Sequence, residues 1–346
     1  MKSDRQRMPR PEHPKPQFHR ESWINLNGPW TYAFDPGKSG MHDGRNLFKS
    51  AGFDNAITVP FCPESKLSGV GYTDFIEAMW YHRRIEIPEA WANQLVILHF
   101  GGVDYECEAF IDGVSAGIHY GGTVSFCFNI TRLVVPGKSH ELVVRVRDDL
   151  RGGGQPGGKQ CDSYKSRGCS YTRTTGIWQT VWLESVAPHG IKDCQIVPDL
   201  DRRQFTIVPR FYSVKTGLRL RVTAYDGKTR VAHETGPAVD GVSLTVKIPD
   251  AKPWEPQSPF LYDLVLEVVD SGDRQLDKVA SYAGLRKIHI EGNRLYLNNK
   301  PLYVRFVLDQ GFYPEGIWTA PSDAALKRDI ELTMKAGFNG ARLHQK

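Results

Sequence analysis

PLYVRFVLDQ (301–310) and APSDAALKRDIELTMKAGFNGARLHQK (320–346) decide the fold. In the first, Leu302, Val304, Phe306 and Leu308 share one face of an expected strand, while Tyr303 and Val307 make the other face apolar too, so the strand requires cover on both sides. In the second, Ser322 is placed to cap a helix and Asp323 to meet its N-terminal dipole. Leu326, Ile330 and Met334 form one stripe, and Gly337 supplies a left-handed stop. FNGARL then reads as another short strand. Strand, helix, strand is one right-handed crossover unit of a parallel sheet. Such a unit cannot bury its own faces, and isolated strand pairs are marginal in water. Residues beyond about 290 are therefore expected to be the first part of something larger, locally unstable or held by a neighbouring chain.

Upstream the grammar differs. ELVVRVRDD places Leu142, Val144 and Val146 on one face and Arg145 and Arg147 on the other, and GLRLRVTAYDG, SLTVKIPD and LYDLVLEVVD repeat this period of two. Turn formers such as IDG, VPGKS, YDGK and DSGD separate the runs, and no helix pattern precedes about residue 320. That spacing predicts antiparallel sandwiches in series. The expected organisation is a disordered arm (1–16), a first sandwich (17–187), a second of immunoglobulin length (188–287) and the strand–helix–strand unit (288–346). Pro188-His189-Gly190 is the expected hinge.

The chain has 346 residues, room for two or three domains of about 100–200 residues each. Forty-four Lys+Arg against 39 Asp+Glu leave a net charge of only +5, with the signs interspersed, which argues against nucleic acid. No apolar run approaches the ~18 residues of a membrane span and no secretory leader is visible, so a cytoplasmic protein is expected. The six cysteines form no CxxC pair and are expected to be free, mostly buried thiols without zinc. No cofactor is implied.

Taken in order, LNGPWTYAFD (26–35), ITVPFCPESKLSG (57–69), MWYHRRIEIP (79–88), HFGGVDYECEAFIDG (99–113), TTGIWQTVWLE (174–184), WEPQSPFLYDL (254–264), GLRKIHIEGNRLYLNNKPLYVRF (284–306) and DAALKRDIELTMKAGFNGARLHQ resemble the N-terminal part of family 2 glycoside hydrolases, the β-galactosidase, β-glucuronidase and β-mannosidase group. The resemblance implies a mainly β fold: a jelly-roll sugar-binding domain, an immunoglobulin-like sandwich, and an incomplete (β/α)8 barrel of which one βαβ unit is present. A whole barrel needs about 250 residues and carries its active site at the C-terminal ends of its strands. The family's two catalytic glutamates follow later strands, so no catalytic residue is expected in this chain, and the chain as given is expected to be inactive. The implied function is the N-terminal portion of a retaining β-glycosidase, with a β-galactosidase as the first expectation. Its expected partners are a carbohydrate substrate and further copies of itself in a homo-oligomer.

Retention requires two carboxyl groups about 5–5.5 Å apart. Glu106 and Glu108, on one strand face, and Asp148-Asp149 are the acids in question here, and they are expected to be solvated strand carboxylates. For active-site support the resemblance points to Asp309 and Gln310 after the first barrel strand, and to Arg342 and His344 at the end of the second. An arginine there supports carboxylates and a histidine contacts sugar hydroxyls. A buried structural ion pair is the alternative for Arg342. Many family members have a histidine after the first barrel strand where this chain reads VLDQGFYP, and His-Tyr-Pro where it reads LHQK, which leaves the sugar open. The loop RGGGQPGGKQCDSYKSRGCSYTRTTGIW falls where the family sends a loop toward the barrel mouth, offering Tyr171 and Arg173 as rim residues. A surface loop with Arg173 paired locally is the other reading. Gly153, Gly158 and Lys159 are spaced as in a phosphate loop, but Gln160 replaces the required Ser/Thr. Trp80 and Tyr81 either stack on sugar or belong to the core. The competing functional classes are a free-standing carbohydrate-binding protein and a structural multi-sandwich protein.

Overall fold

The computed structural model describes residues 8–42 and 44–345. Two antiparallel sheets face each other in the first domain. One orders its strands Trp23–Asn25, Val181–Val186, Leu95–Phe100, Phe126–Asn129, and the other Asn55–Val59, Gly28–Phe34, Ala78–Glu86, Ser139–Arg147, Glu106–Ile111, Val114–Tyr120. The expected alternation is met in full in Ser139–Arg147, where Leu142, Val144 and Val146 enter the core with Met79, Tyr81, Leu98, Phe100 and Leu183. This is the jelly-roll sandwich. Trp80 and Tyr81 are both core residues without exposed surface. The Tyr81 hydroxyl also receives the Ile177 N–H at 3.3 Å. Gly176, at φ 75°, has no Cβ because one would lie 2.2 Å from that hydroxyl.

The second domain pairs a three-stranded sheet (Ile191–Asp199, Gln204–Phe211, Leu244–Lys247) with a four-stranded one (Thr229–Pro237, Arg219–Asp226, Tyr262–Val269, Gln275–Ala283). Leu220, Val222, Val246, Leu264, Leu266 and Val268 fill the space between them. Three plus four strands over about 100 residues is the immunoglobulin-like arrangement. The expected hinge is instead a packed junction. Gly190 is so enclosed that a Cβ would lie 2.6 Å from Val186 and 2.8 Å from Asp277. The Ser213 hydroxyl donates to the Pro188 carbonyl at 2.7 Å.

The disordered arm also requires correction from residue 8 onward; residues 1–7 lie outside the described residues. Asn25 and Asn27 donate side-chain amides to the Arg10 carbonyl (2.9 and 3.2 Å), and the Arg10 guanidinium reaches the Ala320 carbonyl (3.1 Å) and Asp323 (3.0 Å). Farther on, His19 and Ala280 exchange backbone hydrogen bonds at 2.9 Å. The segment is held because the polar ends of other elements need its carbonyls.

PLYVRFVLDQ is not one strand. Ile288–Glu291, Arg294–Leu297 and Lys300–Leu302 form an antiparallel meander, and a separate strand, Phe306–Asp309, begins after a break at 303–305. Phe306–Asp309 pairs in parallel with Gly340–Leu343, across the helix Asp323–Lys335. Ser322 caps that helix by accepting the Ala325 N–H at 3.3 Å, and Gly337 (φ 88°) follows its end, as the sequence indicates. None of its thirteen residues is buried. Ile330 and Met334 are more than 60 % exposed, and Phe306, Leu308 and Leu343 are about half exposed. This apolar stripe has no cover among the described residues. Amide exchange in the chain as a monomer should therefore be fast across 306–309 and 323–343 and slow in the strands of both sandwiches. Protection of 323–335 equal to that of Ser139–Arg147 would contradict this account of the helix.

Candidate functional site

The parallel pair ends with its C-terminal edge against the first sandwich. The His344 N–H donates to the Asp309 carbonyl at 2.9 Å, which extends the ladder by one step and sets the two candidate positions side by side. Asp309 is exposed, and its carboxylate accepts the Gly311 N–H at 2.7 Å. The Gln310 amide oxygen faces His344 Nδ1 at 3.4 Å, a long contact. Loss of water, the nearby Arg342 cation and Lys159 together lower the His344 pKa, which favours a neutral imidazole. Arg342 is exposed and has no ion-pair or hydrogen-bond partner among the described residues, so the buried ion pair considered for it is absent.

Tyr171 joins this group from the first domain. Its ring stacks on Phe312 with centroids 4.2 Å apart and planes at 25°. Behind Phe312, Trp318 packs on Trp178 (5.0 Å, 72°), with Cys62 and Ile317 completing the patch. A tight turn returns the chain here: Tyr313 and Ile317 exchange backbone hydrogen bonds at 2.8 and 2.9 Å. Ile317 adopts φ 58°, a costly conformation for a β-branched residue and one of a kind that concentrates at functional segments. The structure thus brings together Asp309, Gln310, Arg342, His344 and Tyr171.

Arg173 is not on the rim. It is 2 % exposed, and its guanidinium donates to the carbonyls of Ser163 (2.7 Å), Cys161 (3.2 Å) and Thr73, with its plane 4.0 Å from the Phe75 ring centroid. It is the internal anchor of the 151–175 loop. The phosphate-loop resemblance ends in similar fashion. No helix follows Lys159, and the Gln160 side chain is buried, donating to Asp104 at 2.6 Å and accepting from Thr174 N at 2.8 Å.

The carboxylates also depart from expectation. Glu108 and Asp148 are buried and Glu106 is partly so. Glu106 and Glu108 share Arg145 at 2.9 Å each, which marks them as a structural ion cluster. Asp148 belongs to a second group that sequence reasoning missed. Asp104, Asp148 and Glu64 lie beneath the 151–175 loop and receive Gln160 Nε2, Thr175 Oγ1 (2.7 Å), Gln155 Nε2 (2.7 Å) and Thr175 N (3.2 Å). Burial raises Glu64 to about 7 and Asp148 to about 6, and raises Asp104 well above its ordinary value. Three of the six cysteines are buried, fewer than expected, and all are free. No set of ligands suited to a metal occurs among the described residues.

Comparison with known proteins places this geometry. Residues 24–185 match the family described as "Glycosyl hydrolases family 2, sugar binding domain", and residues 191–286 match "Glycosyl hydrolases family 2". The chain belongs to glycosyl hydrolase family 2. Among family members, a protein named β-glucuronidase from Paenibacillus borealis is 24 % identical over 310 residues, covering 84 % of this chain and 50 % of that protein. A β-galactosidase from Pseudoalteromonas haloplanktis is 24 % identical over 333 residues, 92 % of this chain and 30 % of that protein. This chain therefore spans half or less of these relatives' length. The solved β-glucuronidase of Ruminococcus gnavus, in complex with uronic deoxynojirimycin, superposes with a TM-score of 0.79 at 20 % identity, covering 94 % of this chain and 56 % of that one. That likeness concerns the fold. Family relatives of both names leave the sugar unassigned, and among the described residues no helix is long and apolar enough to cross a membrane.

Proposed function

We propose that this chain is the N-terminal portion of a retaining β-glycosidase that hydrolyses O-glycosidic bonds. In this reading the 306–343 unit is the first part of a catalytic barrel, and the two catalytic glutamates are supplied by later strands. One observation carries the reading: Asp309, Gln310, Arg342 and His344 gather at the C-terminal ends of two parallel strands, where a barrel keeps its active site, beside a loop of the first sandwich stacked through Tyr171 on Phe312. The unpaired Arg342 is free to orient a carboxylate, and a neutral His344 can exchange hydrogen bonds with a sugar hydroxyl. β-Galactosides are the first substrate class. A β-glucuronide is the second, favoured by the Lys159 and Arg342 cations standing near His344, since a sugar carboxylate complements such a pair of charges.

The test compares residues 1–346 with the longest open reading frame that contains them, on nitrophenyl β-galactoside and β-glucuronide. Turnover is expected only from a longer product that adds two glutamates, and none from residues 1–346. Hydrolysis by residues 1–346 would show that the acid and nucleophile have been misplaced.

A further inference from the structure

A groove lies on the outer face of the six-stranded sheet, separate from the parallel-strand ends. Register places Arg147 opposite Glu106, and Glu106 opposite Tyr120, so these three share one row of that face. The next row carries Arg145 and Glu108, and Arg145 pairs with both Glu108 and Glu106. Farther along the face, Trp80, Phe110 and Val143 are roofed by Leu47, Phe48 and Phe53. The roof does not reach the Arg147 row. What remains there is a groove of about 450 Å³, walled by the Lys38–Glu77 ion pair (2.9 Å) and by Gly152, Gly154 and Gln155.

The groove's contents are of two kinds. Tyr120 is 61 % exposed, an unusual state for a ring on a sandwich face, and Tyr105 lies beside it, its carbonyl accepting the Gly121 N–H at 3.2 Å. Arg147 and Asp149 also line the groove, and among the described residues neither side chain has a hydrogen-bond or ion-pair partner. An exposed ring with a half-buried one beside it, next to planar charged groups with free hydrogen-bonding capacity, matches a pyranose, whose C–H face packs on an aromatic ring while its hydroxyls both donate and accept. The volume falls in the range of small-ligand sites, roughly 300–1,000 Å³. Gln155 is fixed by bonds to Asp148 and to Asp149 N (2.7 and 3.0 Å), so the wall it forms is built before any ligand arrives.

We propose that this groove is a non-catalytic binding site for a neutral pyranose oligosaccharide, which stacks on Tyr120 against Tyr105 and hydrogen-bonds to Arg147 and Asp149. It holds carbohydrate apart from the parallel-strand mouth and stands whether or not that mouth belongs to a glycosidase.

The full 346-residue chain is titrated with cellotetraose and with β-1,4-galactotetraose, followed by ligand-observed NMR. Saturable binding of at least one is expected. Tyr120→Ala and Arg147→Met should each weaken it by about tenfold, the scale of one lost stack or charged hydrogen bond. Melting of Tyr120→Ala should match the parent because that ring is exposed. Tyr303→Ala, an exposed ring remote from the groove, should leave binding unchanged, and so should Arg342→Ala at the mouth. Failure of the parent to bind either probe overturns the proposal. So does binding that survives both groove variants, or binding lost in Arg342→Ala alone, which would move the site to the mouth.

Discussion

Arg20→Ala is expected to destabilise the protein by about 3–5 kcal/mol, the cost of stripping one partner from a buried ion network. At ~2–4 °C per kcal/mol for domains of this size, the melting temperature should fall by roughly 10 °C. The Arg20 guanidinium binds Asp277 through both carboxylate oxygens (2.9 and 2.8 Å), Glu184 at 3.1 Å and the Ile191 carbonyl. Asp277 also accepts the Ile191 N–H at 2.8 Å, and Glu184 meets His99 at 3.2 Å. Glu184 and His99 are on the first sandwich, Asp277 and Ile191 on the second, and Arg20 on the N-terminal segment, so a single cation ties three parts of the chain together. All of these charged side chains are buried. Without the cation, two carboxylates remain in a low-dielectric junction. The parent sandwiches are expected to melt in one calorimetric transition, which in Arg20→Ala should separate into two as they uncouple.

The acid limb gives an independent readout. Burial alone would raise Glu184, but hydrogen bonds and charge from His99 and Arg20 prevail and hold it at about 2. A depressed carboxyl contributes stability that is present above its ordinary value of 4.5 and is lost as pH falls toward 2. Arg20→Ala should flatten that limb, and Arg20→Lys, which keeps charge but not the fork, should fall between the two. A variant that melts within about 2 °C of the parent would remove the network from any account of the junction.

The local rules that succeeded were those whose information sits within a few residues. Ser139–Arg147 announces its inner and outer faces by period two alone, and Ser322 and Gly337 mark the helix because caps depend only on neighbouring backbone. The failure at 301–310 has an equally local cause. Asn298 and Asn299 both adopt positive φ (50° and 63°), the conformation of a two-residue hairpin turn, so the chain reverses before Lys300. Residues 300–302 are thereby drawn into the meander, and apolar alternation running on from Leu302 to Leu308 hides the break at 303–305, although two adjacent asparagines signalled the hairpin. That Asp309, Gln310, Arg342 and His344 stand at the ends of the parallel pair was legible from order along the chain, since strand ends follow from strand limits. Arg173 and the carboxyl group of three were not. Their burial is decided by the 151–175 loop folding back over Glu64, Asp104 and Asp148, contacts that join positions about 27 to 111 residues apart and leave no periodic trace.

That carboxyl group sets the response to alkali, and its sign is opposite to that of Glu184. Burial, reinforced by the neighbouring Asp148, raises Glu64 to about 7 despite the hydrogen bonds from Thr175. Asp148 reaches about 6, with Arg173 opposing the rise and Asp149 adding to it, and Asp104 is raised by burial and by Asp148 despite Gln160. Cys62 and Tyr81, the other titratable groups facing the site, are themselves raised and stay neutral in this range. Between pH 4.5 and 7 the folded chain therefore holds more protons at Glu64 than the unfolded one, so the stability that neutral Glu64 contributes is fully present below its ordinary value of 4.5 and is lost as pH rises through about 7. A displacement of Glu64 from 4.5 to about 7 corresponds to roughly 3 kcal/mol over that interval. Glu64→Gln keeps an acceptor for the Thr175 N–H and has no charge to bury, so it should stabilise the protein at pH 8 and leave it little changed at pH 4. Urea denaturation at steps from pH 4 to 9 measures both curves. Parent stability that rises from pH 5 to 7, or a Glu64→Gln curve parallel to the parent's, would mean that Glu64 is ionised in the folded chain and that the loop rests on a charged group instead of a neutral one.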